Sequence, residues 1–212
     1  MILPLLFSCS SPGVDSADSG SIDELPATPA PVYDAFADEV VSFEPGEGAG
    51  YGQDRMPDVV LGPPVGGGTS GSLDVVSFGR EGVIVLLLTD FTLIDGEGTD
   101  LLVFENPFPG WYELGVVGVS DDGVNFVDWP CDTTNAEAGY PGCAGVQQVW
   151  SSPDSGIAGD DVQFAGGDAF DLANIGVSAA RYLRIRDAGV NSYDGTSGGF
   201  DLDAVAVIHG VP

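Results

Sequence analysis

Asp95-Gly96-Glu97-Gly98-Thr99-Asp100 sets three carboxylates and two glycines within six residues. Glycines permit a tight loop. Carboxylates and free carbonyls at short spacing suit a hard cation such as calcium, which takes about six to eight oxygen ligands. The alternative is an acidic turn solvated by water. A second pair, Asp201 and Asp203, stands two residues apart in Phe200–Ile208, so both point to one face of a strand. Val205 and Val207 continue that face; Phe200, Leu202, Ala204, Ala206 and Ile208 form the other. Burying charge is costly, so these two acids need a cation or an arginine. Three arginines within Arg181–Arg186 keep the ion-pair alternative open. Glu105 with Asn106, and Asp58, are able to complete a site. The expected cofactor is calcium, with Asp95, Asp100, Glu105, Asp201 and Asp203 as candidate ligands.

Aromatic side chains supply the second chemistry. Pro107-Phe108-Pro109-Gly110-Trp111-Tyr112 is a turn-rich segment, and Trp150 and Tyr193 also lie near loops. Exposed rings stack on sugars; buried ones cap a core. Both remain open for Phe108, Trp111, Tyr112, Trp150 and Tyr193.

Composition removes other chemistries. The chain of 212 residues carries a formal charge of −28, with five arginines, no lysine and one histidine. Such a surface has no electrostatic footprint for nucleic acid or anionic lipid. Without lysine there is neither a phosphate-loop lysine nor a Schiff-base nucleophile. His209, near the C-terminus, reads as a surface residue. Carboxylate pairs at glycosidase separation are expected by chance among 33 acids. The expectation is a protein that is not an enzyme.

The elements that must position these residues are strands. Turn residues punctuate the chain roughly every ten positions, and no long stretch repeats with helical period. The strand candidates are Glu39–Glu44, Val59–Leu61, Leu73–Phe78, Gly82–Asp90, Leu101–Glu105, Glu113–Ser120, Phe126–Trp129, Val146–Trp150, Tyr182–Arg186 and Phe200–Ile208. Gly79–Gly82 joins the fourth to the third as apparent neighbours. Val83–Leu88 is apolar on both faces and reads as a central strand. Asp122-Gly123 supplies a hairpin turn. An all-β, two-sheet antiparallel sandwich is the economical fold for residues 32–212.

Several motifs carry family likenesses. Val119-Ser120-Asp121-Asp122-Gly123-Val124-Asn125-Phe126, followed by Ala180-Arg181-Tyr182-Leu183-Arg184-Ile185, resembles the discoidin and galactose-binding-like jelly rolls. Asp74–Gly79 and Phe200–Val205 fall where those domains have early and closing strands. The resemblance implies a jelly roll over roughly residues 35–210. The cysteines do not follow the discoidin pattern, so that family's lipid- and sugar-binding spikes are not carried over. Val103–Pro107, Gly166–Leu172 and Phe200–Val205 also resemble blocks of bacterial surface lipoproteins. Asp95–Val103 is similar to one calcium-binding nonapeptide of the parallel β-roll, with Asp95 in place of the first glycine. Gly167–Leu172, after Gly166, is a looser echo, and one or two copies do not build a roll.

Residues 1–9 end in Leu6-Phe7-Ser8-Cys9, which resembles the end of a bacterial lipoprotein signal with Cys9 as the lipidated residue. The apolar run is short and lacks a positive start; a start codon assigned too late accounts for both. Residues 10–31 are rich in Ser, Pro, Asp and Ala and read as a disordered tether reaching roughly 25 Å. Cys131 and Cys143 share one polar loop. A disulfide suits an exported chain, whereas a two-cysteine metal site lacks further soft ligands nearby. The function expected is a surface-tethered, calcium-stabilised extracellular module binding glycan, exported and lipid-anchored to a bacterial outer membrane or cell surface. The alternatives are a structural or adhesive envelope protein that binds another protein, and a jelly-roll glycoside hydrolase or polysaccharide lyase.

Overall fold

Apolar alternation builds two sheets whose inner faces share one core. The computed structural model describes residues 34–191 and 198–212. Cys9, the proposed tether 10–31 and Tyr193 lie outside the described residues. In chain order the strands are β1 (Glu39–Glu44), β2 (Val76–Ser77), β3 (Val83–Leu87), β4 (Thr92–Ile94), β5 (Leu101–Glu105) and β6 (Glu113–Ser120). They continue with β7 (Val127–Asp128), β8 (Asp168–Phe170), β9 (Ala179–Ala180), β10 (Tyr182–Asn191), β11 (Asp201–Val207) and β12 (Gly210–Val211). A five-stranded sheet runs β1-β3-β10-β6-β7, and a four-stranded sheet runs β2-β11-β5-β8. A small third sheet runs β12-β4-β9. All pairings are antiparallel. The only helices among the described residues are short 3-10 turns.

The core explains why these runs become strands. Ile84 and Leu86 of β3, Val117 and Val119 of β6, and Leu183 and Ile185 of β10 meet Val76, Leu101, Val103, Leu202 and Val205 of the other sheet. The protein is an antiparallel β-sandwich. β5 is buried along its whole length. Its Leu101 and Val103 enter the main core, while Leu102 and Phe104 enter a second cluster with Val149, Ala165, Ala204 and Ala206. A strand covered on both faces must read as a continuous apolar run, and Leu101–Phe104 does.

Four local readings change. Asp58–Val60 is a 3-10 turn rather than a strand. Val146–Trp150 is irregular, with only an isolated bridge between Val149 and Gly166. β2 and β3 are neighbours in sequence but lie in different sheets. Gly46 N–H bonds Phe78 carbonyl at 2.7 Å, and Gly82 donates back to Gly79 at 3.0 Å, so this glycine corner changes sheets. Finally, β11 does not keep one alternation. Its pairing with β5 slips between Leu202 and Ala204, leaving Asp203 as a bulge residue. One extra residue exchanges the faces, so Leu202 and Val205 both enter the main core while Ala204 and Ala206 turn away.

The hairpin at Asp122-Gly123 forms as its sequence suggests, joining β6 to β7. Asp122 accepts from the backbone N–H of Val124 and Asn125 and from the Asn125 amide. These bonds hold its carboxyl well below the usual carboxylate range. Cys131 and Cys143 are joined by a disulfide.

Candidate functional site

β5 and β11 run antiparallel, so the end of one and the start of the other share one end of the sandwich. Glu105 closes β5, Asp201 opens β11, and Glu113 opens β6 in the facing sheet. Carboxylate oxygens from all three lie within 4.8 Å of one another. Glu105 continues the core-facing set of Leu101 and Val103, which explains why an acid is 3% exposed. Burial and then the charges of Asp201, Glu113, Asp168 and Asp203 raise its pKa well above the usual range. Burial, reinforced by Glu113, pushes Asp201 up to about 7.

The hydrogen-bond inventory is incomplete here. Glu105 Oε2, Asp201 Oδ1 and Asn106 Oδ1 are buried and accept no bond from the described residues. Each such acceptor is expensive, because it loses its hydration without replacement. A hard cation held by the carboxylate group would satisfy the Glu105 and Asp201 oxygens, and oxygen-only ligation matches calcium chemistry. The residues therefore fit such an ion.

Asn106 shows how the orientation is imposed. Its amide nitrogen donates to Asp203 Oδ2 at 2.7 Å. With the nitrogen on Asp203, Oδ1 faces away from it. Asp203 is itself held by the Val65 N–H, at 3.1 and 3.0 Å to its two oxygens. Burial pushes Asp203 up to about 7 despite those donors. Asp203 thus orients the Asn106 amide.

The arginine alternative for Asp201 and Asp203 does not occur. Arg184 and Arg186 both bind Asp128, at 2.9 and 2.7 Å, and Arg55 binds Asp74 at 2.6 Å. The parity of β10 directs Leu183 and Ile185 into the core and the two arginines to the opposite face.

The glycine-spaced acids form a separate group. Asp95, Asp100 and Asp171 bring oxygens within 4.8 Å of one another. Asp100 is fully buried, but its oxygens are already committed. One accepts from Gly96 N–H and meets His209 Nδ1, both at 2.8 Å; the other accepts from Leu172 N–H at 2.8 Å. His209, read as a plain surface residue, is instead part of this staple. Its ring occupies the space where a Cβ on Gly96 would stand, 2.3 Å from His209 Cγ, so glycine is required there for packing.

The aromatics divide. Phe108 is 51% exposed, Trp111 58% and Trp150 48%. Tyr112 is half-buried and meets Tyr140 edge-on, with ring centroids 5.8 Å apart. Trp150 leans on Gly68, and Phe108 leans on Gly71, whose ideal Cβ would come 2.9 Å from the Phe108 ring. Gly71 also has φ +64°, so its place in the turn excludes larger residues twice over. A cleft of about 220 Å³ is lined by Tyr51, Leu73, Asn106, Phe108 and Asp201 among others. Phe108 also borders an open apolar shelf with Pro109 and Trp111. The carboxylate cluster and the exposed rings therefore share a border.

Glu113 has no counterpart in the sequence-based ligand set. The signal was available: like Asp201, it is an acid heading an otherwise apolar strand. Asp168, outside the named ligands but within the looser nonapeptide echo, is buried and accepts from the N–H groups of Gly145, Val146 and Gln147. Burial pushes it up to about 7. No protein-family model, no curated protein and no solved structure matches the chain.

Proposed function

We propose that this chain is a calcium-stabilised extracellular binding module for glycan, tethered to a bacterial surface through Cys9. The observation that carries this reading is the cluster of Glu105, Glu113 and Asp201, in which Glu105 Oε2 and Asp201 Oδ1 are buried acceptors without a donor among the described residues. Calcium supplies the missing positive charge to a chain of net charge −28. The exposed rings of Phe108 and Trp111 beside the cluster supply apolar surface for a sugar face. The disulfide suits an oxidising compartment.

The test is thermal unfolding with calcium titrated into chelator-treated protein. Calcium in the range of about 0.1–1 mM, typical of extracellular modules, should raise Tm, while sodium at equal ionic strength should not. Glu105→Gln should remove most of that response. Identical melting in chelator and at roughly ten times the upper end of that range overturns the calcium reading. A glycan array probed with the calcium-loaded protein addresses the ligand. Binding to a surface protein with no glycan signal would favour the adhesive alternative, and turnover of a model polysaccharide would favour the hydrolase or lyase.

A further inference from the structure

We propose that the cation is a contact for the ligand as well as a structural ion: a neutral sugar seats two adjacent hydroxyls on it and lays its ring against Phe108. This rests on the calcium reading above and adds where and how the glycan binds.

The first argument is the ligand count. Glu105, Glu113 and Asp201 converge, and Asn106 Oδ1 is turned away from Asp203 by the amide's own hydrogen bond. If each of the three carboxylates gives one oxygen, about three to five positions of a calcium sphere remain for other oxygens. Asp203 does not fill one, because both its oxygens take the Val65 N–H and one also takes the Asn106 amide.

The second argument is access. Asp201 belongs to the cluster, and Asp201 and Asn106 line the cleft of about 220 Å³, so the cleft abuts the cluster. That is below the roughly 300–1,000 Å³ of pockets that enclose a drug-sized molecule, so it admits one ring-sized unit. Phe108 lines the same cleft and continues into the shelf with Trp111, where a chain of further units has room to extend.

The third argument is charge. Three carboxylates and a divalent ion leave a net negative site in a chain of −28. An anionic sugar would meet repulsion, whereas neutral hydroxyls are hard oxygen donors that bring no charge. Adjacent hydroxyls fill two neighbouring positions with little ordering cost, because the ring already holds them together.

The experiment uses terbium in place of calcium on the full chain. Luminescence lifetimes in H₂O and D₂O count the waters on the bound ion. Methyl α-D-galactoside, methyl α-D-mannoside and methyl α-L-fucoside are then titrated, with a deoxy analogue of each. Terbium should bind with about two or more waters, and at least one glycoside should displace about two of them. Its deoxy analogue should displace fewer. Its affinity should fall at least tenfold in chelator and at least tenfold in Phe108→Ala, while Phe108→Ala keeps its affinity for terbium.

A site holding terbium with less than one water is sealed, and the proposal fails. It also fails if the water count ignores every glycoside, or if a glycoside binds equally well in chelator. Terbium that binds wild type no better than Asp201→Asn would instead remove the cation site and the reading beneath it. The two failures are therefore distinct.

Discussion

Replacing Asp201 by asparagine should stabilise the metal-free protein at pH 8, although it alters a buried residue. Folding takes this carboxyl from a reference pKa of 3.8 to about 7, chiefly by burial and secondarily through Glu113. A raised acid pKa means that the native state holds the proton more tightly than the unfolded chain. Its contribution is fully present below about pH 4 and is lost as pH rises through about 7. At 1.36 kcal/mol for each pH unit between the two values, the charged form burdens the folded state by about 4 kcal/mol at pH 8. Asparagine removes the charge but leaves a partly buried amide, so a gain of roughly 2–4 kcal/mol is expected. For a chain of this size that corresponds to a Tm higher by roughly 5–15 °C. At pH 4 the two proteins should differ little. Calcium should act in the opposite sense. At a hundredfold excess over Kd it adds about 2.7 kcal/mol to the wild type and nothing comparable to the variant. The assay is differential scanning calorimetry at pH 4, 6 and 8, in chelator and in calcium. A variant that is less stable than wild type at pH 8 in chelator, yet responds equally to calcium, refutes the argument.

Asp100→Ala should cost about 2–4 kcal/mol in urea unfolding, because Gly96 N–H, Leu172 N–H and the His209 ring each lose an acceptor. His209→Ala should cost less, since the other two donors keep theirs; equal losses would contradict this division. Opening the Cys131–Cys143 disulfide by a double alanine substitution should lower stability by about 2–3 kcal/mol, given the sequence separation of 12, as read from denaturant midpoints. Cys9→Ala should abolish fatty-acid labelling of the exported chain; equal labelling of wild type and variant would remove the anchor.

Much of the architecture was legible because strand physics is local. Glu39–Glu44, Leu101–Glu105 and Glu113–Ser120 read as strands and are β1, β5 and β6. The Asp-Gly turn needs only its neighbours, since Asp122 bonds the residues that follow it. The disulfide was legible from two cysteines sharing one polar loop. Glu105 and Asp201 stood out as acids at the ends of apolar strands, where charge needs compensation.

What tertiary structure decided was everything that depended on register and on partners distant in sequence. A single bulge residue at Asp203 exchanged the faces of β11 halfway along, and strict alternation cannot anticipate that. The arginine pairing turned on which sheet received β10, because Arg184 and Arg186 meet Asp128 of β7, two strands away in the same sheet, rather than Asp201. The glycine-spaced acids at Asp95–Asp100 carried the strongest local pattern, yet Asp100 closes on His209, 109 residues away. Glu113 joined Glu105 and Asp201 only because two sheets stack with their ends aligned. Spacing along a chain sets which way a side chain points; only the folded backbone sets what it meets and whether water still reaches it.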